Sequence, residues 1–508
     1  MIIERTKNTF RGSLWGFIQK VSSILLPFVT RTIIIKKLGI DYVGLNSLFS
    51  SVLQVLSLSE LGFSTAIVYC MYKPIAEDDI DTVNGLICYL KKIYKIVGLV
   101  ITALGLMVLP FLQNLISGDI PGQLNIYILY VIYLANTSIS YFLLGYKTAV
   151  LNALQRNDIQ NIIVFITTAL LYILQIVSLL IYPNYYVYVF LIPLTTLVNN
   201  IITSVVVDKM YPQFTGKGTI SKELRLDIRK RLFPLLGTKI GGIMVSSADT
   251  IVISTFLGLE LVGIYNNYYY IENSVAAILL IFLNSTQAGI GNLLVKDSND
   301  KIVNVYNRMN IIDAGLVCVC TSCLLSLYQP FMMIWVGSDL LVENGIMFLF
   351  CIYFYIFIIQ RVNILFKDAA GIWREDLLRE YSVNILNIVL NIVLITKCGL
   401  YGVIGSSVLA WGISLPWSIY NVCKYIIHEN PFSIIKKQGR FFAVTIIAAF
   451  TSYYVCSLLP QEGVLLLFLR GIICCIISIL VFVICNLNNK DFKEAVLWLK
   501  SYLISAIS

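Results

Sequence analysis

The chain is short of charge: only 13% of its 508 residues are Asp, Glu, Lys or Arg, about half the roughly 25% usual in soluble domains. No polar stretch is long enough to build a soluble domain, which excludes nucleic-acid binding and cytosolic catalysis. Histidine occurs once, at His428 in a polar turn, so neither a histidine general base nor a His-rich metal site is available. The twelve cysteines add no metal site either. Cys318, Cys320 and Cys323 lie in an apolar run with no other soft ligand nearby, where free cysteine behaves as a small hydrophobe. Cysteines placed in such runs rather than in loops also argue against an extracellular disulfide framework. No catalytic group, metal or cofactor is expected.

What the chain has is apolar length. At 58% hydrophobic residues and a mean hydropathy of +0.83, it holds enough for a ceiling of about 15 spans at about 20 residues each. Runs long enough to cross a bilayer fall at 13–35, 46–72, 87–112, 124–148, 159–182, 185–207, 233–256, 262–291, 311–336, 343–366, 381–397, 401–423, 441–459 and 464–486. The expected fold class is therefore an all-α integral membrane protein of about fourteen transmembrane helices. The first run is too long for a signal-peptide core and lacks a small-residue cleavage site, so it reads as a retained span.

Basic residues set the orientation. With the N-terminus inside, 30 of the 37 lysines and arginines lie on inner segments and span ends, the four at 361–379 among them, against four outside (Lys36, Lys37, Lys397, Arg470) and three within spans (Lys20, Arg31, Lys239). Both termini are expected to be cytoplasmic in a multi-pass protein of the inner (plasma) membrane. The longest polar stretch, 209–231, is basic and divides the chain. The expected organisation is an N-lobe at 1–208, this cytoplasmic linker at 209–231, a C-lobe at 232–430, accessory spans at 431–486 and a tail at 487–508. In the tail, Phe492, Ala495, Val496, Leu499 and Leu503 gather near one helical face, as in an amphipathic helix lying on the inner leaflet.

An internal repeat organises the spans. Leu38-Gly39-Ile40-Asp41-Tyr42-Val43-Gly44-Leu45 returns as Leu257-Gly258-Leu259-Glu260-Leu261-Val262-Gly263-Ile264, 219 residues later. Leu154-Gln155-Arg156-Asn157-Asp158-Ile159 returns as Ile372-Trp373-Arg374-Glu375-Asp376-Leu377 at an offset of 218, and Phe214 returns as Phe432 at the same spacing. Each copy holds six spans. An even number makes the copies parallel, related by an axis along the membrane normal, a pattern of transporters whose substrate path lies between the halves. Spans 13 and 14 lie outside the repeat.

Six plus six plus two spans, the Leu-Gly and Val-Gly turn after spans 1 and 7, and Glu60-Leu61-Gly62 with Ser64-Thr65-Ala66-Ile67 in span 2 together resemble the Wzx-type polysaccharide flippases of the multidrug/oligosaccharidyl-lipid/polysaccharide (MOP) exporter superfamily. The resemblance covers essentially the whole chain. It implies a MATE-like fold and the flipping of undecaprenyl-pyrophosphate-linked glycan repeat units from the inner to the outer leaflet. The path implied is a cationic cavity that opens to each side in turn, and the product feeds O-antigen, capsule or exopolysaccharide synthesis. Drug exporters share the fold and differ by charge.

Three cations and two acids inside the spans are the candidate site residues. Lys20 and Arg31 are eleven residues apart in span 1, about 20° past three helical turns, so they share a face. If the hydrocarbon core covers about 20 residues centred near Leu25, Lys20 lies about 7 Å inside the inner boundary and Arg31 about a turn from the outer one. At the repeat offset of 219, Lys20 maps onto Lys239 in span 7. Matched lysines would suit the diphosphate of a lipid substrate; the alternative is snorkelling of their flexible stems to the interface. Glu60, near the centre of span 2, would couple transport to a proton or sodium gradient, or pair with Lys20. Asp249 in span 7 would couple likewise or serve a neighbouring span's polar group. Tyr265, Tyr268, Tyr269 and Tyr270, with Tyr182, Tyr185, Tyr186 and Tyr188, would stack on sugars or form an interfacial belt.

Lipid-linked oligosaccharide and membrane lipid are thus the expected partners of a chain acting as a monomer. A cation-coupled small-molecule exporter is the first alternative, favoured by Glu60 and Asp249. A membrane-bound polymerase or glycosyltransferase is the second, and it lacks a sizeable outer loop to carry catalytic groups.

Overall fold

A computed structural model describes the backbone of residues 5–57, 63–460 and 463–507, and the side chains within them except at 5–10, 123, 230–246, 499 and 502–507. The described residues are helical almost throughout and contain no strand. In lipid this follows from the backbone, whose polar groups must be satisfied within the segment. Eleven helical stretches among the described residues are long and apolar enough to cross a membrane. A further pair, α5 (Ile126–Phe142) with the stretch Gly145–Ala153, makes one more span bent by 50°. The two remaining apolar runs, 46–72 and 233–256, fall on α2 (Ile40–Leu56) with α3 (Phe63–Ala76) and on α9 (Lys222–Leu257). Fourteen spans are compatible with this architecture.

The repeat is visible in where helices start. α2 and α10 (Leu259–Ser285) begin 219 residues apart, as do α4 (Ile80–Val108) and α12 (Asn299–Val336). The offset is 218 for α5 and α13 (Asn344–Ile359), 216 for α7 (Asn157–Ile181) and α15 (Trp373–Cys398), and 215 for α8 (Tyr185–Met210) and α16 (Leu400–Val422). Two helices outside the repeat follow, α17 (Pro431–Ser457) and α18 (Val464–Asn486), and the chain closes with α19 (Lys490–Ile507).

The repeated glycines have a physical reason. Gly39 and Gly258, with φ of 119° and 93°, carry the chain out of α1 (Arg5–Lys37) into α2 and out of α9 into α10, a backbone conformation that side chains with a Cβ resist. Gly44 and Gly263 allow close approach. A Cβ at Gly44 would stand 2.1 Å from the carbonyl oxygen of Leu259, and one at Gly263 would stand 2.6 Å from that of Ile40. The starts of α2 and α10 therefore cross backbone to backbone, each glycine meeting the first residue of the other helix.

The chain divides into two compact units, Met1–Gly263 and Ile264–Ser508. In the first, α1 lies along α7, α5 packs between α4 and α8, and α9 runs along α2. The second is built around α12, against which α13, α17, α18 and α19 pack, with α15 and α16 paired beside it. Part of the tail helix α19 is held by this unit: Asp491 bridges to Lys437 at 2.8 Å, and the Trp498 ring lies 4.9 Å from the Arg308 guanidinium.

Candidate substrate and coupling site

Lys20 sits midway along α1, which is fixed to α7 by a hydrogen bond from the Asn161 side chain to the Gly12 carbonyl (3.1 Å) and by the Trp15 and Phe165 rings at 6.3 Å. Its side chain is exposed, on a face shared with Leu14 and Phe17, which are each about half exposed. The first unit thus leaves this cation open. Arg31, further along α1, is half-buried and within electrostatic reach of the Tyr188 phenol. Lys239 lies on α9 with its side chain outside the described residues, and Glu60 lies outside them altogether.

Asp249 is buried in a polar seam of α9. Around it, Ser247 donates to Gln54 on α2 (3.2 Å), Ser254 donates to the Leu115 carbonyl (2.6 Å), and Thr250 is buried. The tyrosines divide. Tyr185 and Tyr188 are buried and stacked at 5.7 Å, and Tyr268 is buried with its hydroxyl on Gln329 at 2.6 Å, whereas Tyr182 is exposed. Among the described residues no three His, Cys, Asp or Glu side chains gather as metal ligands. Cys323 packs against Cys475 with the sulfurs 3.7 Å apart.

Sequence reading missed a second set of charges, those at the breaks of spans 4 and 10. In the first unit α5 ends at Phe142, α6 (Thr148–Ala153) follows, and Lys147 pairs with Asp208, which also accepts from Ser204 at 3.1 Å. Arg156 grips Asp158 with two hydrogen bonds of 3.0 and 3.1 Å. In the second unit the break falls at Gln360, between α13 and α14 (Arg361–Ala370), and the charges join into one buried network. Arg379 holds Asp376 and donates to Ser414 at 2.6 Å. Lys367 reaches Glu380 at 2.8 Å and Asp376 at 3.3 Å, while Asn421 donates to Asp376 at 2.8 Å. Asp376 is the repeat counterpart of Asp158, a spacing visible in the sequence. Its partners Lys367 and Asn421 lie on two other helices, and those contacts were not.

Two further acids escaped notice. Glu272, in the middle of the run 262–291, and Asp313, two residues into the run 311–336, are almost wholly buried at 2% and 1% exposure. The rule that an ionisable residue within a span marks a functional site would have found Glu272. Asp313 reads in the sequence as a span boundary.

Neither a protein-family model nor a curated protein sequence matches the chain. Solved structures do. It superposes on the lipid II flippase MurJ in an inward closed conformation with a TM-score of 0.67 at 14% identity, covering 94% of this chain and 99% of that one. An inward-facing multidrug-resistance MATE family transporter of the MOP superfamily gives 0.61 at 14% identity over 80% and 98% of the two chains. A mutant of the Vibrio cholerae MATE transporter VcmN gives 0.55 at 15% over 84% and 98%. The likeness is one of fold: this is a multi-pass membrane protein with the architecture of MOP-superfamily transporters.

Proposed function

From that shared fold, we propose that the protein is a MOP-type transporter that flips lipid-linked oligosaccharide from the inner to the outer leaflet by alternating access. The carrying observation is the pair Lys20 and Lys239, one in the first span of each half at the repeat offset, of which Lys20 is open in the first unit. A cation within the membrane costs several kcal/mol on most scales and needs water or an anionic partner. A lipid diphosphate supplies one, and binding it relieves the repulsion between two like charges, which gives the loaded state the differential affinity that drives a conformational change. Arg31, on the same face as Lys20, would meet the headgroup nearer the outer side. In this reading the lobes at 1–208 and 232–430 move about the path, and both termini and the 209–231 linker face the cytoplasm.

The second reading, a cation-coupled small-molecule exporter, is favoured by the buried Asp249 and by Glu60. Lys20→Ala and Lys239→Ala should each abolish surface polysaccharide in a strain that depends on this gene, with membrane abundance unchanged, and the Lys→Arg variants should retain part of it. Wild-type polysaccharide in both alanine variants would remove the flippase reading and leave the exporter.

A further inference from the structure

Asp313 is the most isolated acid among the described residues. It is 1% exposed, and neither of its carboxyl oxygens has a hydrogen-bond partner. Beside it, within electrostatic reach, is the guanidinium of Arg361. That guanidinium does not hold the acid: it lies 3.9 Å from the centre of the Phe357 ring, with its Nε unpartnered. The Tyr355 hydroxyl, also within electrostatic reach of Asp313, is buried and lies beside Thr445. Asp313 and Arg361 are thus neighbours left unjoined, although groups of opposite charge in a dry site attract strongly.

The remaining neighbours do not satisfy the acid. On its own helix, the Cys320 thiol is within electrostatic reach. From α17, Gln438 gives its amide to Asn310 at 2.8 Å and Thr445 gives its hydroxyl to the Phe441 carbonyl at 2.9 Å. From α18 come Cys474, Cys475 and Phe482, with Cys474 on Ser326. From α19, Glu494 acts on Arg308, more than a turn nearer the start of α12. The charge that bears on Asp313 is therefore Arg361.

Burying an ionised carboxylate without hydrogen bonds is so unfavourable that the group takes up a proton instead. We propose that Asp313 is a proton-binding site, and that Arg361 moves beside its carboxylate when the proton leaves. With the proton bound, Asp313 is neutral and Arg361 rests over Phe357. When the proton passes to the aqueous phase, the carboxylate and the guanidinium draw together, and the Asp313 oxygens and the Arg361 Nε gain the partners they lack here. Arg361 is the first residue of α14, directly after the break at Gln360, so its movement bears on that break. The proton site stands whether the cargo is a lipid-linked glycan or a small molecule, and it assigns coupling to residues other than Glu60 and Asp249.

Infrared spectroscopy of the purified full-length protein in lipid nanodiscs, titrated between about pH 5 and 9, reads the site without any cargo. Wild type should show the carbonyl band of a carboxylic acid free of hydrogen bonds, fading as pH rises. Glu272, also buried with an unpartnered oxygen, contributes to this band, so Asp313→Asn should lose part of it, Asp313→Glu should shift that part, and Glu272→Gln should retain it. Arg361→Gln should raise the midpoint of its loss by about 1 pH unit or more, as removal of a neighbouring opposite charge does. An identical band in wild type and Asp313→Asn, or a midpoint unmoved by Arg361→Gln, would overturn the proposal. Because Asp313→Glu keeps the carboxyl group, an asparagine variant that fails to fold does not shield it. Failure here leaves the lysine test of the transport reading untouched, and the reverse also holds.

Discussion

The breaks in spans 4 and 10 are built on the same plan and differ in what stands at two equivalent positions. In the first unit, Tyr94 lies at the position equivalent to Asp313 and packs its ring 5.6 Å from Tyr141, and the carbonyl freed at Leu143 accepts from Asn200 at 2.8 Å. Leu144 takes up the strain with φ of 63°. In the second unit, position 143 becomes Arg361 and position 94 becomes Asp313, while Gln360 answers the break by donating to the Ile356 carbonyl at 3.0 Å and accepting from Ser414 at 3.1 Å. A broken span needs only that its freed backbone groups be satisfied. The Asn200 amide does this in one half, so the buried acid and arginine of the other half are not demanded by the fold.

The largest test of this contrast lies in the ion pairs. Asp376 and Arg379 are 2% and 3% exposed at their side chains, whereas Asp208 in the first unit is 54% exposed. Removing one partner of a buried pair leaves an uncompensated charge and costs about 3–5 kcal/mol; in the first unit only Lys147 is buried, at 6%, while its partner Asp208 reaches solvent, so the loss there should be smaller. Asp376→Ala should therefore lower the thermal unfolding midpoint in detergent far more than Asp208→Ala. Replacing Asp376 and Arg379 together by Leu and Met should recover much of the loss. Equal effects of the two alanine variants would mean that the second network is no more structural than the first.

The glycine crossing sharpens the comparison from the other side, because there the two copies are alike. Gly44→Ala and Gly263→Ala each drive a Cβ into a carbonyl oxygen, and overpacking of this kind costs about 1–3 kcal/mol. The shorter approach makes Gly44→Ala the worse of the two. Gly405, in α16 with no atom within 4 Å of an added Cβ, is the control: alanine there should be neutral or stabilise by about 0.5–1 kcal/mol. Unfolding midpoints of the three variants decide it, and a silent Gly44→Ala would remove the close crossing.

These glycines also explain why the architecture was legible in the sequence and the charge network was not. A span announces itself by apolar length, and a turn with positive φ or a backbone crossing needs glycine at a fixed place, so both survive as local signals. An ion pair does not. Lys367 and Asp376 meet across the turn at Gly371, and Asn421 reaches Asp376 from another helix at 2.8 Å, so the basic residues at 361–379 look in the sequence only like orientation determinants. The same limit applies to Lys20 and Lys239: the repeat gives their equivalence, but register along a helix does not say what they face.

The smallest difference between the halves lies at the starts of α4 and α12. Asp79 caps α4, its carboxylate accepting from the Thr82 amide at 3.0 Å. Ser298, at the equivalent position before α12, makes no side-chain cap bond. The hydrogen bond from Thr82 holds the Asp79 carboxyl below its ordinary value of 3.8. A carboxyl whose value is lower in the folded state adds stability that is complete above the unfolded value and disappears as pH falls through the folded one. Amide exchange at Thr82 should therefore be faster in Asp79→Ala than in wild type at neutral pH, and the difference should close in acid below about pH 4. Asp79→Asn keeps an acceptor oxygen without the charge, so it should protect Thr82 equally at both ends of that range. Ser298→Ala should change nothing at α12. Protection in wild type that does not change with pH would show that the first turn of α4 is held by its packing rather than by its cap.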